Sequence, residues 1–121
     1  MSQVAQFIRD HQLDAMRIGG QKVGAGRDRA IEVFNPYSAE RIGTVPKATL
    51  EEVRQAYALA HAYKPQLTRF DRAAILNKAA ALVRDHLNDI ANLISAEAGL
   101  CIKDAVYEAG RVSDVLLFGA Q

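Results

Sequence analysis

Nucleophiles, proton carriers and metal ligands are sparse and scattered in this sequence of 121 residues. The single cysteine, Cys101, sits between Leu100 and Ile102 with no histidine nearby in sequence. That setting predicts a buried thiol acting as a small hydrophobe rather than an activated thiolate. His11, His61 and His86 are isolated, and none pairs with another at i, i+4. No C-x-x-C or His/Cys cluster offers metal-ligand spacing, so all three histidines read as solvated, His86 beside Asp85 on a charged surface. Glu51, Glu52 and Glu97 are accounted for by helix caps and exposed faces.

Chemistry concentrates in one run, Tyr107-Glu108-Ala109-Gly110-Arg111. An acid and an arginine three residues apart on a helix can pair. Gly110 costs about 1 kcal/mol relative to alanine inside a helix, so its presence predicts close approach by another element. Arg111 lies among Val106, Ala109, Val112 and Val115, which predicts a partly buried guanidinium seeking a planar anion. A plain salt bridge between Glu108 and Arg111 is the competing reading.

The elements that must position these residues follow from periodicity and turn chemistry. Val4, Phe7 and Ile8 recur at helical spacing, predicting a short first helix before a break near residues 13–16. Residues 16–18 and 21–23 flank Gly19-Gly20, a pair able to take the positive φ of a tight hairpin turn. The glycine- and charge-rich run 24–29 reads as an exposed loop. Ile31, Val33, Ile42 and Val45 predict two more strands joined by the turn Asn35-Pro36-Tyr37-Ser38, the second ending at Pro46. Thr49 and Glu52 form a capping-box pattern, opening a helix with Leu50, Val53, Ala56, Tyr57 and Ala60 inward and a stop at Lys64-Pro65. A second helix is expected over about 69–87, burying Phe70, Ala73, Leu76, Ala80 and Val83 and exposing Arg72, Lys78, Arg84 and Asp85. Asn88 is the expected cap of a third, with Ile90, Leu93 and Ile94 inward and Gly99 as its left-handed stop. A fourth, from about 103, places Val106, Ala109, Val112, Val115 and Leu116 on one face.

Hairpins followed by helices give an antiparallel β-meander with four or five helices, and no strand–helix–strand unit from which a parallel nucleotide-binding sheet could be built. No G-x-G-x-x-G is present. With 15 basic against 14 acidic residues, the charge is nearly balanced, and nothing in it calls for nucleic acid or an anionic membrane. One cysteine excludes an internal disulfide and suits a reduced cytoplasm. No apolar run reaches the ~20 residues of a spanning helix, and the N-terminus lacks a signal-like apolar core.

The order and spacing of several short motifs resemble the N-terminal part of NAD(P)-dependent aldehyde dehydrogenases. They are Ile18-Gly19-Gly20, Val33-Phe34-Asn35-Pro36, Ile42-Gly43-Thr44-Val45-Pro46, Arg72-Ala73-Ala74-Ile75-Leu76 and Glu97-Ala98-Gly99. Within that family, Met16-Arg17-Ile18, Thr44 through Thr49, Leu67-Thr68-Arg69-Phe70 and Tyr107 through Arg111 are most similar to the phosphonoacetaldehyde dehydrogenases, which oxidise phosphonoacetaldehyde to phosphonoacetate in phosphonate breakdown.

The resemblance implies an aldehyde dehydrogenase-like α/β fold in which residues 1–15 form an N-terminal helix and 16–121 an incomplete N-terminal part of the NAD-binding domain. It implies that Arg111 stands at the mouth of the substrate tunnel and binds the phosphonate, and that Val33, Phe34 and Glu108 match a monovalent cation site. The family's catalytic cysteine thiolate, oxyanion donor and water-activating glutamate fall at no position of this sequence, so the chain is expected to be an inactive fragment alone. NAD or NADP belongs to the full-length enzyme, a homodimer or homotetramer acting on a small aldehyde, and neither cofactor is expected to bind this chain by itself. The alternatives are a non-catalytic helical interaction module or subunit-interface fragment, and a small complete enzyme using Cys101 or Glu108.

Overall fold

In the computed structural model, residues 3–10, 15–24 and 28–121 are described. They fall into two units, residues 1–64 and 65–121. Residues 13–14 of the expected break, 25–27 of the expected loop and His11 lie outside the described residues.

The first unit begins with helix α1 (Gln3–Asp10), whose Gln6 amide donates to Asp10 at 2.6 Å and accepts from Arg9 at 2.9 Å. Strands β1 (Met16–Ile18) and β2 (Gln21–Val23) pair antiparallel, with Ile18 opposite Gln21. The two intervening glycines have φ of 58° and 81°, the left-handed pair that a two-residue hairpin turn requires. A side chain at Gly19 would also meet Leu59 Cδ1 at 2.9 Å, so the turn serves as a close contact as well.

Strands β3 (Ala30–Phe34) and β4 (Arg41–Pro46) form a second hairpin with a register irregularity at Val33/Phe34. Asn35 Oδ1 accepts from the amides of Tyr37 and Ser38 at 2.9 and 3.0 Å, building the expected turn. The loop runs on through Glu40, and Ala39 adopts φ 57° to close it. The antiparallel strands are thus organised as two separate two-stranded sheets. Pro46 is buried and ends β4, where its missing donor costs nothing.

Helix α2 (Leu50–Ala62) carries the expected capping box: Glu52 N donates to Thr49 Oγ1 at 3.2 Å and Thr49 N to Glu52 Oε2 at 2.8 Å. Its expected inward face is a correction. Leu50, Val53, Tyr57 and Ala60 are exposed and only Ala56 is half-buried. Short two-stranded sheets offer too little surface to cover a helix of 13 residues.

The second unit is three helices: α3 (Arg69–Asp85), α4 (Leu87–Ala98) and α5 (Ile102–Gly119). Helix α5 packs against both others through Ala105, Ala109 and Ser113, which recur at i, i+4, i+8 and are buried. Ala80 of α3 and Ala91 of α4 are the buried residues opposite, and Ser113 Oγ donates to the Ala80 carbonyl at 3.3 Å. Small side chains let helices approach closely, while Leu87, Ile90, Ile94, Leu100 and Val106 fill the flanks.

Several expectations are corrected by this packing. Phe70, expected inward, is 81% exposed and faces away from the α3 interface; Val112, Val115 (67%) and Phe118 (74%) on α5 are exposed as well. Helix α3 ends at Asp85, and His86 rather than Asn88 stands before α4. His86 cannot continue the helix at φ −103°, ψ 17°, and its Nδ1 lies 3.3 Å from Asp89 Oδ2. Gly99 closes α4 at φ 71°, as expected.

A second capping box opens α3. Thr68 N and Oγ1 both donate to Asp71 Oδ2, at 3.0 and 2.6 Å, and Asp71 N returns to Thr68 Oγ1 at 3.1 Å. The Thr68 hydroxyl and then its amide hold the Asp71 carboxyl below the usual carboxylate value, against a smaller opposing effect of burial. A depressed folded pKa contributes stability that is present above the unfolded value and is lost as pH falls through the folded one. Acid titration of α3 helicity by circular dichroism should therefore show a component below the ordinary aspartate range that disappears in Asp71→Asn. Identical acid limbs for the two proteins would contradict the box.

Candidate functional site

Cys101 sets the start of α5. Its extended backbone makes it the N-cap residue, and its Sγ donates to Asp104 Oδ2 at 3.2 Å instead of capping an amide. The thiol is exposed, which corrects the expectation of a buried cysteine: a residue preceding the first helical turn lies beyond the close-packed stripe. His61 is likewise exposed in the last turn of α2.

Because Ala105, Ala109 and Ser113 face inward, helical geometry turns Tyr107, Glu108 and Arg111 outward. Arg111 is therefore exposed, its side chain at 59% and that of Glu108 at 48%, and not partly buried as its apolar neighbours suggested. Arg111 Nη1 donates to Glu108 Oε1 at 3.1 Å and to Oε2 at 3.3 Å. The guanidinium carbon also lies 5.9 Å from the centroid of the Tyr107 ring, within cation–π range. Sequence reasoning anticipated the ion pair but gave Tyr107 no part, although its i, i+4 spacing to Arg111 was visible.

Glu108 and Arg111 border a shallow cavity of about 330 Å³ whose remaining walls are Val112, Val115 and Leu116. A charged rim on an apolar wall suits a short ligand carrying an anionic end. On its other side Arg111 reaches a second cavity, of about 340 Å³, shared with Arg84, Tyr107 and Asp114.

Gly110 borders this second cavity, and a side chain built there would meet nothing within 4 Å. The expected close approach at Gly110 is absent among the described residues.

Val33 and Phe34, the other expected cation-site residues, end β3 in the first unit, whereas Glu108 belongs to the second. No single unit carries the set, and Glu108 already has both oxygens on Arg111. Among the described residues no group of three or more His, Cys, Asp or Glu could hold a metal ion.

The sequence profile described as the Aldehyde dehydrogenase family matches residues 23–121. This chain belongs to the aldehyde dehydrogenase family, and its similarity is to the N-terminal region of that family. It is 34% identical over 91 residues to succinate-semialdehyde dehydrogenase GabD of Escherichia coli K12, covering 73% of this chain and 19% of the relative. To glutarate-semialdehyde dehydrogenase of Pseudomonas putida it is 33% identical over 103 residues, covering 81% and 22%. A solved NADP-dependent enzyme from E. coli superposes with a TM-score of 0.81 at 30% identity, over 88% of this chain and 23% of that one. A benzaldehyde dehydrogenase of Corynebacterium glutamicum gives 0.79 at 26% identity, over 88% and 24%. The chain thus spans about a fifth of the length of the curated relatives it matches.

With open space at its Cα, Gly110→Ala should stabilise the chain by about 0.5–1 kcal/mol in urea denaturation. A destabilised variant would reveal a neighbour at that position in solution.

Proposed function

We propose that this chain is the N-terminal part of an enzyme that oxidises an aldehyde to a carboxylate with NAD or NADP, and that its substrate is phosphonoacetaldehyde. The family match over residues 23–121 supports the reaction class: aldehyde, water and NAD(P)⁺ yield carboxylate, NAD(P)H and protons. The substrate rests on one observation, the exposed guanidinium of Arg111 at the rim of an apolar cavity. A phosphonate presents several oxygens and up to two negative charges, which a planar guanidinium can engage bidentately. Glu108 takes up Nη1, so Nη2 and Nε are the donors that would meet it, with the aldehyde carbon directed along Val112 and Val115.

Within this reading the chain's own residues bind and orient the substrate, and none is assigned the chemical step. The cation role of Val33, Phe34 and Glu108 belongs to the same reading of the whole enzyme, where binding a cation at Glu108 would compete with Arg111 for its carboxylate.

A second reading is favoured by the uncovered apolar residues Val112, Val115 and Phe118: a non-catalytic helical interaction module. Assay of the complete enzyme separates the two. Formation of NAD(P)H with phosphonoacetaldehyde is expected, and Arg111→Ala should raise KM for it roughly ten- to hundredfold, as expected for losing charge-assisted hydrogen bonds worth about 1.5–3 kcal/mol. No NAD(P)H with any aldehyde would leave the interaction module. Turnover with an unaltered KM in Arg111→Ala would reject the phosphonate assignment.

A further inference from the structure

An exposed Glu–Arg pair one helical turn apart adds little to stability, so the Glu108–Arg111 contact has its main consequence elsewhere. Arginine has a long side chain that must give up rotamer freedom when it grips an anion. Here both Glu108 oxygens hold Nη1, at 3.1 and 3.3 Å, and the Tyr107 ring lies beneath the guanidinium at 5.9 Å. The two contacts restrain the group from its edge and from its face. What remains for a ligand is the opposite edge, on a residue that lines the cavity walled by Val112, Val115 and Leu116.

We propose that Glu108 is a positioning residue: it pre-orders Arg111 so that the guanidinium presents its Nη2/Nε edge to the anionic end of the substrate. This rests on the substrate reading above and goes beyond it by giving Glu108, while it is bonded to Arg111, a role that needs no cation. Two effects of opposite sign meet at this carboxylate. Its charge repels an incoming anion, whereas its grip removes part of the ordering cost of binding. The repulsion is screened by solvent because both side chains are about half exposed, so the ordering effect prevails.

The test uses the complete enzyme and the ratio of kcat/KM for phosphonoacetaldehyde to kcat/KM for propanal, a selectivity that loss of folded enzyme does not move. Glu108→Ala should lower this ratio about two- to fivefold, the range open to an exposed ion pair. Glu108→Gln, whose amide oxygen still accepts from Nη1, should keep most of it. An unchanged or raised ratio in Glu108→Ala overturns the proposal, because repulsion would then outweigh positioning. An equal fall in both variants overturns it too, since charge rather than held geometry would be responsible. Arg111→Ala is the reference: if its ratio does not fall, the substrate reading itself fails, and with it the role of Glu108.

Discussion

The close approach of α5 to its neighbours through Ala105, Ala109 and Ser113 governs the second unit. One stripe of small side chains fixes the rotation of that helix, and every other orientation on it follows. Ser113 makes the constraint directional by donating to the Ala80 carbonyl of α3, a contact available only when the backbones lie near one another. Larger apolar residues are displaced to the flanks, where Ile90, Ile94 and Val106 pack, or to the outside, where Val112, Val115 and Phe118 remain uncovered. The same rotation turns Glu108 and Arg111 out as a pair and leaves an apolar wall beside them. Site and scaffold are two faces of one packing arrangement.

Local rules carry the rest of the chain. Thr49 with Glu52 and Thr68 with Asp71 satisfy the first amides of α2 and α3, each cap contributing about 1 kcal/mol. Asn35 organises the turn between β3 and β4 through its side-chain oxygen, and the paired glycines at 19 and 20 do so for the first hairpin. These features are short-range, each set by residues a few positions apart.

That difference explains what the sequence revealed. The two hairpins, the stop at Pro46, the first capping box and the left-handed Gly99 are each encoded within a few residues and could be read directly. The second capping box was overlooked because Asp71 stands where glutamate or glutamine is the commoner partner. The inward face of α3 was misjudged at Phe70 because hydrophobicity draws attention to large side chains, whereas close helix packing selects small ones. Arg111 was expected to be partly buried for the same reason. Its pairing with Glu108, set by helical spacing alone, was legible. The family was legible too, from motifs that are individually short but ordered along the whole chain, and the profile match over residues 23–121 bears it out.

As a member of the aldehyde dehydrogenase family that spans about a fifth of its relatives' length, the chain presents a charged rim beside an apolar wall on α5. The small-residue stripe is what sets that geometry, and a paired substitution tests it most directly. The urea midpoint of Ala109→Leu should fall, by about 1–3 kcal/mol in stability, because a larger side chain forces the helices apart. Val115→Leu, the same new side chain on the uncovered face, should stay within about 0.5 kcal/mol of the parent chain. If Ala109→Leu is tolerated while Val115→Leu destabilises, α5 is rotated relative to this account and its central claim is wrong.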